Sequence, residues 1–305
     1  MLLVITALVP ITLILALGKG ISALQLLTPA GWIGVERLTY FVLFPALIVG
    51  KLAGADFSDL DFRMPVALIG AQVALGALSV LIAVVMKQPR DRLGVYVQSA
   101  VRWNTFIALA LAQELTGGAG VALVVVAAAA MIPTANVLSV TGLLTFSNGQ
   151  VELGRLAKQL AVNPLVIACA LGLSLNFVQF EMPQSAVRTL DLLAQATIAA
   201  GLLTTGAAIE IKQRSAPIVS LLGWSLLRLF GLSAIAVLLA VSLGVSEAVL
   251  MAIVIATAVP TASNGTILAR QLGADASLAA NLIACQTILA LLSIPFLLWF
   301  VGLIT

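Results

Sequence analysis

The sequence predicts an all-helical integral membrane protein with ten transmembrane spans, and three observations carry that reading. The first is composition. Of 305 residues, 62% are hydrophobic and 9% charged, whereas soluble domains carry roughly a quarter charged residues. A soluble fold of this size could not cover so much apolar surface. The second is the length of the apolar runs. Ten of them, at 2–18, 33–54, 65–86, 94–114, 119–145, 160–179, 187–209, 217–242, 246–269 and 277–303, approach or exceed the ~20 residues a helix needs to cross the hydrocarbon. The third is that these runs are long and do not alternate, unlike the strands of an outer-membrane barrel.

The punctuation between runs supports the count. Leu2 to Leu17 has no basic residues before it and no convincing small-residue cleavage pattern, so it reads as a first transmembrane helix, not a signal peptide. Lys87-Gln88-Pro89-Arg90-Asp91-Arg92 separates the third and fourth spans, and the Gly-rich turn from Thr116 to Gly120 separates the fourth and fifth. Ser147-Asn148-Gly149-Gln150 opens the longest polar connection, at mid-chain. Residues 1–305 therefore form one transmembrane domain of two five-span halves, 1–145 and 159–305. An odd number of spans per half inverts the second copy, a pattern common in carriers. A short echo links Ala112-Gln113-Glu114-Leu115-Thr116-Gly117 to Ala269-Arg270-Gln271-Leu272-Gly273, singling out the fourth and ninth spans.

Orientation follows from Lys and Arg in alternate connections. One side carries Lys19, Lys87, Arg90, Arg92, Arg155, Lys158, Lys212, Arg214 and Arg270, nine in all, and the other Lys51, Arg63 and Arg188, three. The richer side is expected to be cytoplasmic, with both termini outside a multi-pass cell membrane (inner or plasma) protein. Acids (Asp56, Asp59, Asp61) cluster on the outer side. The net charge of +3 thus sits in membrane-flanking loops and does not call for a nucleic-acid partner. The chain has no histidine, and its two cysteines, Cys169 and Cys285, lie apart in apolar runs. Zinc, haem and His-assisted nucleophile sites are therefore not expected. No GxxxxGK[ST] loop is present, which argues against ATP-driven pumping by this chain.

Polar residues inside spans are expensive and mark function. In the fourth span Gln98, Arg102 and Thr105 fall at i, i+4 and i+7, one face of a continuous helix, with Asn104 about 200° round from Arg102. In the ninth, Pro260-Thr261-Ala262-Ser263-Asn264-Gly265-Thr266 interrupts an aliphatic run. Pro260 lacks an N–H and displaces a carbonyl, so the helix kinks or breaks there. A break in mid-membrane exposes a half-helix N-terminus that favours an anion. In the fifth span, Pro133 and Asn136 repeat a similar spacing, lining the same cavity or packing against it. Gln286 and Thr287 lie mid-span in the tenth and suit a polar pocket or helix–helix bonding. Arg228, in the eighth, suits a structural or snorkelling role, and snorkelling is open for Arg102 too. No acidic residue stands near these positions in sequence. The candidate substrate-binding residues are therefore Arg102, Asn104, Thr105, Pro133, Asn136, Pro260, Thr261, Ser263, Asn264 and Gln286.

Three segments resemble the auxin efflux carrier family in its compact bacterial form. They are Tyr40-Phe41-Val42-Leu43-Phe44-Pro45-Ala46-Leu47, then Ala258-Val259-Pro260-Thr261-Ala262-Ser263-Asn264 with Leu268-Ala269, and more weakly Ser293-Ile294-Pro295-Phe296. The resemblance implies two inverted five-helix repeats with crossed, broken fourth and ninth helices, as in bile-acid symporters. It also implies a scaffold of spans 1, 2, 6 and 7, a transport unit of spans 3–5 and 8–10, and organic-anion substrates. Pro260 and Asn264 would fall at the crossover, with Asn104 as the fourth-span counterpart. Val101-Arg102-Trp103-Asn104-Thr105-Phe106 contains no proline, which departs from the pattern.

The expectation is a secondary carrier, not an enzyme, moving a small carboxylate-bearing anion, in the export direction or otherwise, by alternating access. A bile-acid-type sodium symporter and a membrane-embedded enzyme or sensor are the alternatives. No cofactor is expected. A coupling ion, sodium or proton, and a homodimer in the bilayer are left open.

Overall fold

A computed structural model describes residues 2–55, 61–146, 154, 161–210 and 216–302. The central connection from Ser147 to Gln150, Arg155, Lys158, Lys212, Arg214, Asp56 and Asp59 lie outside the described residues. Among the described residues every regular element is a helix and there is no strand.

Helix α1 (Leu2–Ala23) is followed by α2 (Pro29–Leu38). Proline suits the first turn of α2 because its missing N–H has no intrahelical partner there, and Thr28 Oγ1 accepts the Gly31 N–H at 3.1 Å as a cap. A π-helical turn (Thr39–Leu43) leads into α3 (Phe44–Ala53). Then come α4 (Arg63–Val85), α5 (Arg90–Val101) and α6 (Thr105–Phe146). Next are α7 (Pro164–Phe177), which Asn163 caps through its side chain, and α8 (Gln184–Ala207). Helix α9 (Ile218–Leu226) passes through a second π turn (Leu227–Gly231) into α10 (Leu232–Leu243). The chain ends with α11 (Glu247–Ala258), α12 (Gly265–Gln271) and α13 (Ala276–Val301).

Among the described residues seven helical segments are long and apolar enough to cross a membrane, and α7 and α11 are shorter apolar helices. One of the seven, Arg90–Phe146, covers 57 residues. As a straight helix it would be ~86 Å long, nearly three times the hydrocarbon thickness. It is not straight: helical geometry stops at 102–104 and again at Gly117, where φ is 64°. Only glycine takes that positive φ without strain, so the Gly-rich turn read at Thr116–Gly120 is a break centred on one residue.

Two packed groups result. Helix α1 lies on α8, and α3 lies on both α7 and α8. Gly18 and Gly206 let α1 and α8 approach to backbone contact, since a Cβ at either position would run into the carbonyl of Leu203 or Leu15. In the second group α4, α5 and α6 pack on one another, α10 on α4 and α11, and α11 on α6 and α13. Leu47, Ile48, Leu68, Leu109 and Met131 are buried between helices, whereas Leu13, Val85, Leu192, Leu238 and Leu292 face outward, as lipid-facing side chains do in an integral membrane protein.

Candidate functional site

Two helices of the second group stop inside the molecule. Helix α5 ends because Arg102 is extended (ψ 156°), and α11 ends at Val259 (ψ 155°). The second stop has a local cause: a residue preceding proline is pushed out of the helical region, and Pro260 follows. The first needs no proline. Asn104 Oδ1 accepts the Ile107 N–H at 3.1 Å, so asparagine acts as N-cap and starts α6 afresh. The two breaks touch directly, with the Asn104 N–H donating to the Pro260 carbonyl at 2.8 Å.

This corrects the helical-face reading of the fourth span. Gln98, Arg102 and Thr105 do not share one continuous face, because the helix is interrupted between them. Asn104 is not turned away either, since it lies at the contact between the breaks.

The backbone groups freed by the breaks find side-chain partners. Gln72 Nε2 donates to Val101 O at 2.8 Å and to Met131 O at 3.3 Å. Gln286 accepts the Thr261 N–H at 2.9 Å and donates to Ser99 Oγ at 2.8 Å. Gln98 Nε2 donates to Gly265 O at 3.0 Å. Arg228, fully buried, donates from Nε to Arg102 O at 3.0 Å and from Nη1 to Thr257 O at 2.9 Å. Of the two readings open for Arg228, the structural one is what is observed.

Beside the crossing lies a cavity of about 100 Å³ lined by Arg102, Trp103, Asn104, Thr105, Asn136, Ser263 and Asn264, together with Glu36, Tyr40, Phe44 and Thr204. Two larger clefts, of about 560 and 500 Å³, share Glu36 with it. One includes Thr28, Glu210 and Arg270 in its lining, and the other Arg37, Asn163 and Gln271.

Arg102 dominates the electrostatics. Its Nη1 donates to Asn136 Oδ1 at 3.2 Å and its Nη2 to Asn264 Oδ1 at 2.9 Å, while Nε is buried without a partner. Among the described residues the ion pairs are Lys51–Asp191, Arg63–Asp61 and Arg92–Asp275, so Arg102 has no ion-pair partner among them. The asparagines of both Pro-to-Asn motifs thus converge on one guanidinium, whose planar fork suits a carboxylate.

Of the ten candidates, Arg102, Asn104, Thr105, Asn136, Ser263 and Asn264 line the cavity. Pro133, Pro260, Thr261 and Gln286 do not; Pro260, Thr261 and Gln286 shape the breaks that bound it. Asn104 is largely committed to capping and to donating to Thr205 Oγ1 at 3.2 Å. Glu36 was missed. It lines the cavity and both clefts, although no acid adjoins the other site residues in sequence. An acid near the start of an apolar run was the available signal. Among the described residues no group of three or more His, Cys, Asp or Glu could hold a metal.

Residues 150–298 match the family model described as membrane transport protein. That model is the auxin efflux carrier family domain, and the match covers just under half of the chain. It spans Arg228, the Pro260–Asn264 break and Gln286, and it is a domain of a transporter family, not of an enzyme family. Together with the apolar helices, this match indicates a multi-pass membrane protein and implies a membrane transporter. It does not favour the sodium-symporter alternative. No curated protein matches the chain.

Proposed function

We propose that the chain is a secondary carrier for a small carboxylate-bearing organic anion, working by alternating access around the crossing of α5–α6 with α11–α12. One observation carries this reading: Arg102 presents an unneutralised guanidinium to a cavity, held there by Asn136 and Asn264. A buried cation with an unfilled N–H attracts an anion, and its charge is worth more in low dielectric than in water.

In this reading the helices make ten spans in two inverted repeats. Helix α1, the run α2–α3, α7 and α8 form a scaffold, and the remaining helices form a moving unit. The two packed groups support that division. One of the larger clefts includes Glu210 and Arg270 in its lining, and Lys19 donates to the neighbouring Ile209 O at 2.6 Å. These residues belong to the Lys- and Arg-rich end, so the conformer is read as open to the cytoplasm, with both termini on the opposite side.

Uptake of labelled malonate, malate and neutral amides into proteoliposomes tests the reading. Wild-type protein is expected to accumulate the carboxylates and not the amides, and Asn264→Ala to slow uptake about tenfold by freeing Arg102. Equal uptake of amides, or Asn264→Ala and Pro260→Ala at wild-type rates, would contradict it.

A further inference from the structure

Among the described residues Arg228 has no carboxylate in ion-pair contact, and it stands where two helices end. The guanidinium is 0% exposed, and it bonds Arg102 O at the C-terminus of α5 and Thr257 O in the last turn of α11. Each helix C-terminus carries the equivalent of about −0.5 charge. Two meeting at one point make about one negative charge, which one guanidinium balances. In carriers built on broken helices, such C-terminal carbonyls are the ligands that take up a coupling cation.

We propose that Arg228 is the permanent cation of the crossover and a positioning residue for the substrate site. Its side chain occupies the place between the two helix ends that a coupling cation would otherwise fill, so turnover needs no metal cation there. The proposal rests on the carrier reading above.

Three further features support it. Arg228 lies within the π-helical turn Leu227–Gly231, and π turns recur at functional positions because one extra residue re-aims the side chains. The two bonds diverge from different nitrogens, a geometry that a planar fork supplies and a single ammonium does not. The carbonyl Arg228 holds is that of Arg102 itself, so the resident cation fixes the backbone of the residue that faces the cavity.

The test uses purified full-length protein and two readouts. Thermal unfolding is followed for wild type, Arg228→Ala and Arg228→Gln in sodium chloride, choline chloride, and choline chloride with low-millimolar guanidinium. Wild type is expected to be indifferent to the three media. The variants should unfold lower by about 5 °C or more and recover part of that loss with guanidinium or sodium but not with choline. Arg228→Gln keeps most of the volume and serves if Arg228→Ala does not fold. Uptake of labelled malonate by wild-type proteoliposomes should be equal in sodium and in choline.

Sodium-dependent stabilisation or uptake of the wild type would overturn the proposal, as would folded variants that no small cation restores. Failure of wild type to take up any dicarboxylate would instead count against the carrier reading. The unfolding measurements would still decide the role of Arg228.

Discussion

At the scale of single residues, the site places two arginines within one network. Arg228 donates to backbone carbonyls from Nε and Nη1, with Nη2 unfilled, whereas Arg102 lines the cavity and donates to amide oxygens that compete weakly with a carboxylate. Arg102→Lys should therefore recover little function, because an ammonium cannot span Asn136, Asn264 and a ligand at once. Glu36 lines the same cavity, and in the proposed function its carboxylate would oppose an incoming anion. Glu36→Gln is expected to lower the KM for a dicarboxylate a few-fold, as loss of a partly screened repulsion of about 1 kcal/mol would do. An unchanged or higher KM would remove Glu36 from the account. Arg102, Asn136 and Asn264 were legible in the sequence because polar groups in hydrocarbon are rare. Glu36 was not, because it sits beside Arg37 at the start of an apolar run and reads as interfacial.

At the scale of elements, the two breaks differ in cause. Pro260 made the ninth-span break readable. The fourth-span break depends on Asn104 acting as N-cap in mid-membrane, and nothing in Val101-Arg102-Trp103 distinguishes that from an uninterrupted helix until the partner carbonyl of Pro260 is in place. Asn104→Ala is expected to cost about 1–2 kcal/mol, seen as a lower unfolding temperature, while Asn104→Ser, which keeps a capping oxygen, should recover most of it. Equal stability of wild type and Asn104→Ala would show that the cap is dispensable. The α1–α8 contact is a separate case. Gly206→Ala forces a Cβ onto backbone and should destabilise the protein more than Gly20→Ala, which meets nothing nearby.

At the scale of the whole molecule, alternating access requires the two packed groups to move against each other. Asn104 on one group donates to Thr205 on the other at 3.2 Å, which marks a line along which they can be joined. In a background with Cys169 and Cys285 replaced by serine, Asn104→Cys with Thr205→Cys should form a disulfide on oxidation. Uptake should then be lower when oxidised than when reduced. Undiminished uptake after oxidation would mean the groups do not separate along this line. Apolar run lengths made the all-helical membrane class readable. The assignment of helices to two groups was not readable from them, since it depends on close approaches such as Gly18 with Leu203 and Gly206 with Leu15 that periodicity does not reveal.

The central claim is that Arg102 receives a carboxylate in the cavity beside the crossing. Equilibrium binding of labelled malonate to purified wild-type protein and to Arg102→Gln tests it most directly. The account predicts saturable binding by wild type and a Kd raised by about 30- to 100-fold in the variant, as expected for loss of a charge-assisted pair worth 2–3 kcal/mol. Equal affinities in two equally folded proteins would contradict it.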